Sequence, residues 1–142
     1  MNIPSLAQVL YFEDRKNING WYHLPGEFQL LLNQKPYVWT NATAHFKNGK
    51  IDNGENIAVW FVRNGATLVE YYCEDKRHNL NGPASIYLNS DKVLQFDGTN
   101  FVLTDQLTDR NEYYYIMGAE MSEEEFRLYH KRQGLKRIFN SI

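Results

Sequence analysis

Ile57-Ala58-Val59-Trp60-Phe61-Val62, then Asn64-Gly65, then Thr67-Leu68-Val69-Glu70-Tyr71-Tyr72, is the stretch that decides the fold. Its first half is an apolar run of strand length, rich in β-branched and aromatic residues. A membrane span would need about 20 such residues. Asn-Gly accepts positive φ at both central positions of a type I′ turn, whose twist matches a hairpin. The stretch therefore predicts a β-hairpin with one strand buried on both faces.

The same punctuation recurs on both sides of this hairpin. Six of the nine glycines follow Asn or Asp: Gly20, Gly49, Gly54, Gly65, Gly82 and Gly98. Val93 to Phe96, Asp97-Gly98, and Asn100 to Leu103 predict a second hairpin. Ala84 to Leu88 and Tyr113 to Met117 read as further strands. Upstream, Val38, Thr40, Ala42, Ala44 and Phe46 alternate on one face of a strand over Tyr37 to Phe46, and Phe28 to Leu32 suits another. Pro4 to Glu13 fits a short helix, or alternatively a strand at Gln8 to Phe12.

Near the C-terminus, Ser122 and Glu125 form a capping box, with Met121 and Phe126 placed as a hydrophobic staple. Glu123, Glu124 and Glu125 favour the positive end of the helix dipole; His130, Lys131 and Arg132 favour the negative end. Gly134 suits the left-handed position after the last turn. A helix from about Glu123 to Gln133 is predicted, with Phe126 and Tyr129 docked on the sheet. The fold class expected is α+β, predominantly antiparallel β, a repeated hairpin meander with a C-terminal helix packed on the sheet. The 142 residues suit a single domain, 1–142.

Composition narrows the function classes. A hydrophobic share of 43% excludes wholesale disorder, and a net charge of -2 excludes a generally basic nucleic-acid coat. Cys73 is alone, and the N-terminus lacks a basic start with an apolar stretch. A cytoplasmic protein with no membrane association is expected.

Two segments overlay at a spacing of 28 residues: Gly49 to Gly54 leading into Ile57 to Trp60, and Lys76 to Ala84 leading into Ile86-Tyr87. The second carries Tyr72, Lys76, His78, Asn79, Gly82, Pro83, Ala84, Ile86 and Tyr87. It resembles the MORN-like Gly-Lys-x-His-Arg-x-x-Gly-Pro-Ala repeats of proteins from large bacteriophages and bacteria. The aromatic strand, Gly118 and the acidic-capped helix resemble the way such proteins close. The resemblance spans residues 69–133. It departs where Asn79 stands for the usual Arg, where Asp75 replaces a turn glycine, and at the insertion Asp97 to Arg110. It implies a β-rich scaffold with His78, Gly82, Pro83 and Ala84 as its structural motif, and no common catalytic residue.

The residues offer little for catalysis. His23, His45, His78 and His130 share no metal-ligand spacing, so neither a metal nor another cofactor is expected. His78 is expected to bond backbone groups and order its loop. Cys73 follows a strand and reads as a small buried hydrophobe without a nearby base. Glu13-Asp14 and Glu74-Asp75 read as solvated turns. No catalytic residue is assigned.

Two features point to binding. Tyr113, Tyr114 and Tyr115 are consecutive, so a strand must turn at least one away from the core, where tyrosine favours interfaces. Residues 72–126 carry eleven acids and four bases, whereas residues 127–142 carry five bases and no acid. Lys136 and Arg137, beyond Gly134, form a basic-apolar tail with Ile138 and Phe139. The expectation is a non-enzymatic bacteriophage protein that binds and inhibits a host protein, such as a defence component, in the host cytosol. The abundance of Asn, Tyr, Phe, Ile and Lys fits an AT-rich phage genome. The alternative is an RNA-binding module using the basic tail and exposed tyrosines.

Overall fold

The computed structural model describes residues 3–8, 11–104 and 108–140, the side chains of 137–140 excepted. Its long strands are β1 (Gly20–Leu32) and β2 (Lys35–Lys47), with the short β3 (Lys50–Ile51) paired to β2. Then come β4 (Val59–Arg63), β5 (Ala66–Glu70), β6 (Tyr72–Cys73), β7 (Lys76–Arg77) and β8 (Ser85–Leu88). The chain continues through β9 (Leu94–Phe96), β10 (Phe101–Leu103), β11 (Arg110–Ile116) and β12 (Ala119–Met121) to the helix α1 (Glu123–Asn140). The main sheet runs β1-β2-β4-β5-β8-β11-β12, and every pairing within it is antiparallel. β6–β7 and β9–β10 are separate two-stranded hairpins. The expected class is what forms.

Asn64-Gly65 closes β4 onto β5, with φ of 52° and 77°. Burial on both faces belongs to β5, not to the apolar run: Thr67, Val69 and Glu70 are buried, whereas Val62 is 42% exposed. β5 lies inside the sheet between β4 and β8, whereas β2 pairs with β4 only at Val59 and Trp60 and then diverges. The expected alternation in β2 also breaks. Asn41, at φ 51°, opposes a bulge in β1 between Leu24 and Glu27, where the Gly26 N–H donates to Asn41 Oδ1 at 2.8 Å. Beyond it, Trp39 takes the core face and Val38 turns outward, 54% exposed. The bent hairpin carries Phe28, Leu30, Leu32 and Trp39 into one core with Phe46, Val59 and Tyr72. A second core, of Ile57, Val69, Ile86, Leu88 and Val93, packs with Leu94 and Leu103 of the β9–β10 hairpin.

Residues 3–8 do not form the helix expected; Ser5 bridges His23, and the Gln8 side chain pairs with the Gln29 backbone along the β1 edge. Residues 9 and 10 lie outside the described residues, and a single 3-10 turn follows at Phe12–Asp14.

What organises one end of the molecule is a stack of three two-residue turns: Asn48-Gly49, Glu74-Asp75 and Met117-Gly118, all at positive φ. Each is held by a carbonyl and by the side chain of the next residue. The Gly49 N–H donates to Ile18 O and the Asn48 N–H to Asn19 Oδ1, both at 2.8 Å. The Asp75 N–H donates to Ile51 O at 3.0 Å and the Glu74 N–H to Asp52 Oδ2 at 3.1 Å. The Gly118 N–H donates to Arg77 O at 2.8 Å and the Met117 N–H to His78 Nδ1 at 2.9 Å. Between the first two units the true period is 26 residues, not 28. Asn53 and Asn79 each donate Nδ2 at 2.9 Å to the carbonyl four residues on, and Ala58 and Ala84 each bridge neighbouring strands. The 28-residue overlay matched the Gly54 and Gly82 positions, but Gly82 is absent from the positive-φ residues. Two further turns, at Asn64-Gly65 and Asn33-Gln34, share the positive-φ geometry.

The capping box of α1 forms as expected, Ser122 and Glu125 exchanging hydrogen bonds at 3.1 Å. Phe126 is buried against Tyr114, their rings 4.8 Å apart. The helix does not stop at Gln133. Gly134 stays helical at a cost of about 1 kcal/mol relative to alanine, and Leu135, Lys136 and Arg137, good helix formers, carry it on.

Candidate functional site: an open sheet face

Side chains that oppose each other across antiparallel strands share a face. Phe61 of β4 opposes Leu68 of β5, Leu68 opposes Tyr87 of β8, and Tyr87 opposes Asn111 of β11. Tyr113 lies two residues along β11 on the same face, opposite Ser85. Toward the turn stack this face is covered: Val59, Glu70 and Ser85 are buried there. Away from it the face opens at Tyr87, 44% exposed, and at the β11 end of the covered rung Tyr113 is 45% exposed. A shallow cavity of about 230 Å³ is lined by Phe61, Arg63, Asn64, Ala66, Leu68 and Tyr87.

The charge along this face is uneven: the cavity at Phe61 and Leu68 has one charged residue in its lining, Arg63, and negative charge gathers beside Tyr113. The cleft next to Tyr113 is lined by Glu112, Glu120 and Glu123 against one cation, Arg110. Asp109 joins Arg110 beside Tyr87.

The three consecutive tyrosines separate into three roles. Tyr113 is the exposed one. Tyr114 points to the opposite face, where it anchors the helix through Phe126, and partial burial raises its phenol pKa. Tyr115 returns to the first face but lies under Arg77, its ring centre 5.3 Å from the guanidinium carbon. Lys136 is exposed on α1, and Arg137 lies in the helix with its side chain outside the described residues. The helix that carries Lys136 docks on the face that Tyr113 turns away from.

Of the repeat motif residues Ala84 is buried, and His78, Gly82 and Pro83 are half-buried. His78 Nδ1 accepts from Met117 N–H, and burial lowers the imidazole pKa while Asp52 pulls it back up. The Ala84 backbone links Tyr71 to Tyr113, and Pro83 O accepts from Asn79. Cys73 is half-buried rather than buried, and its surroundings push the thiol pKa up. Glu74-Asp75 is a turn but not a solvated one. Asp75 is 6% exposed and pairs with the buried Arg15 at 3.2 Å, and Arg15 also donates to Gly49 O and Leu31 O. Arg15 gave no sequence signal, since nothing local distinguishes an arginine that will bond two distant turns and the end of β1.

These features define a β-meander scaffold that leaves one aromatic face open, with acids gathered beside Tyr113. No protein-family model, curated protein or solved structure matches the chain. Among the described residues, no helix is long and apolar enough to cross a membrane.

Proposed function

We propose that the chain is a non-enzymatic binding protein that occludes a basic surface of another protein with its open sheet face. The observation that carries this reading is the pair of exposed rings, Tyr87 and Tyr113, beside the half-buried Phe61 and Leu68, with an acidic cleft next to Tyr113. Exposed tyrosines anchor interfaces through apolar contact, and rim charges set the partner's sign and on-rate. A polyanion is the second choice, because the acids beside Tyr113 repel phosphates. The stacked turns support a scaffold of the MORN-like kind the sequence resembles. The composition, rich in Asn, Tyr and Lys, supports a bacteriophage source, a host protein as target and inhibition in the host cytosol as the outcome.

The test is capture from nuclease-treated bacterial lysate, followed by affinity measurement with the purified partner. Tyr113→Ala is expected to weaken binding by about 2 kcal/mol, a hot-spot loss, and Lys136→Ser by less than about 1 kcal/mol. Capture that disappears with nuclease, or binding that survives Tyr113→Ala and fails without Lys136 and Arg137, would instead favour the RNA reading.

A further inference from the structure

The turn end of the molecule carries a second feature that the open face does not use. Arg77 Nε donates to Glu70 Oε2 at 2.7 Å, and Glu70, 1% exposed, also accepts from the Tyr72 hydroxyl at 3.3 Å. The guanidinium carbon lies 5.7 Å from the ring centre of Tyr37 and 5.3 Å from that of Tyr115. It is thus held rigidly, with its side chain still 30% exposed. Beside it opens a cleft of about 190 Å³ whose lining includes Asn33, Lys35, Asp75, Lys76 and Arg77.

Asn33 and Asp75 form the wall shared with an adjoining cleft of about 320 Å³. That second cleft is lined by Tyr11, Phe12 and Lys50 among others, and Tyr11 is 58% exposed. Charge in this region does not balance. Glu70 is matched by Arg77 and Asp75 by Arg15, and Glu13, on the outer wall, pairs with Lys16 at 3.6 Å. Lys35 and Lys76 have no carboxylate within ion-pair distance among the described residues, and Lys50 has only a longer-range attraction to Asp75.

We propose that the two clefts together bind a nucleotide. Its phosphate would sit among Lys35, Lys76 and Arg77, and its base would lie against Tyr11 and Phe12. A fixed guanidinium between two lysines suits phosphate oxygens, and exposed rings stack on any base. The smaller cleft has room for a phosphate and the larger for a base. The chain's net charge of -2 makes this cationic concentration local. The shared chemistry, a base next to a phosphate, comes either from a free nucleotide or from a single strand.

The experiment titrates the full chain by calorimetry with AMP, adenosine, inorganic phosphate and a short oligouridylate. AMP is expected to bind saturably with Kd of about 1 mM or tighter. Adenosine and phosphate alone should each bind at least about tenfold more weakly. The Lys35→Ser/Lys76→Ser variant should weaken AMP about tenfold with an unchanged melting temperature, since both lysines lack ion-pair partners. Tyr11→Ala should weaken AMP and leave phosphate unaffected. Oligouridylate bound more tightly than AMP, with the same loss in the lysine variant, assigns the single strand; equal affinities assign the free nucleotide. No saturable AMP binding up to about 10 mM, or binding indifferent to the two lysines, overturns the site. Phosphate binding as tight as AMP overturns the base-stacking half. None of these outcomes depends on Tyr113, so this site and the open face fail separately.

Discussion

Asn48-Gly49 and Glu74-Asp75 are the same turn built from different residues. Both have the second residue at positive φ, 79° for Gly49 and 68° for Asp75, and both give that residue's N–H to a carbonyl of the preceding unit. Gly49 is there because nothing else fits: a Cβ would lie 2.3 Å from Arg15 O. Asp75 is there because its side chain repays the strained backbone. Its carboxylate accepts the Ile51 N–H at 2.7 Å and pairs with Arg15. The comparison teaches that a turn position can be held either by sterics or by a side chain wired into its neighbours. Arg15 links the two, since it bonds Gly49 O at one turn and Asp75 at the other.

Breaking the steric turn should cost most. Gly49→Ala sets a methyl group against backbone that cannot move aside, at a φ that disfavours any Cβ, and is expected to destabilise the protein by about 4 kcal/mol in thermal or urea unfolding. A loss below about 1 kcal/mol would mean that the stack is loose.

The wired turn should cost somewhat less and show coupling. Asp75→Gly relieves the backbone but leaves Arg15 buried without its carboxylate, an expected loss of about 3 kcal/mol. Adding Arg15→Met should recover part of it. Simple additivity of the two losses in a double-mutant cycle would refute the link.

The third turn hangs on His78. Its pKa is depressed in the folded protein, so the neutral ring that accepts from Met117 is the stabilised form. Its contribution is full above the ordinary histidine value of 6.5 and is lost as pH falls through the folded value. His78→Gln, which retains an acceptor, should flatten stability between about pH 7 and pH 5, whereas His78→Ala should remove about 1 kcal/mol at pH 7. Equal pH profiles for the native protein and His78→Gln would exclude the imidazole as the source.

Gly82 gives the smallest effect. It lies outside positive φ, and the nearest atom to an added Cβ is Asn79 Nδ2 at 3.8 Å. Gly82→Val should change the melting temperature by no more than a loss of about 1 kcal/mol would produce. A larger drop would restore the strained turn that the Asn-Gly pair suggests in sequence.

How far the sequence carried depended on whether a signal was local. Asn64-Gly65 between apolar runs, and Ser122 with Glu125 before Phe126, were legible because each is completed by residues a few positions apart. Asn33-Gln34, Glu74-Asp75 and Met117-Gly118 were not legible as paired positive-φ turns, since no Asn-Gly or Asp-Gly pair marks them. The candidate site was half visible. Three consecutive tyrosines in a strand require that one faces out, but which one is free depended on Phe126 and Arg77, which arrive from the helix and from β7.

By itself, then, the sequence determined the class: antiparallel strands joined by tight turns, closed by a capped helix, with tyrosines to spare. Those are properties of backbone preference and of period, and neighbours along the chain suffice to express them. Tertiary structure alone decided the 26-residue register of the turns, the enclosure of Arg15 by Asp75, the face that stays open and the concentration of Lys35, Lys76 and Arg77 around one cleft. Each of these joins groups far apart in the chain. Burial and charge pairing across such distances are settled only when the strands come together.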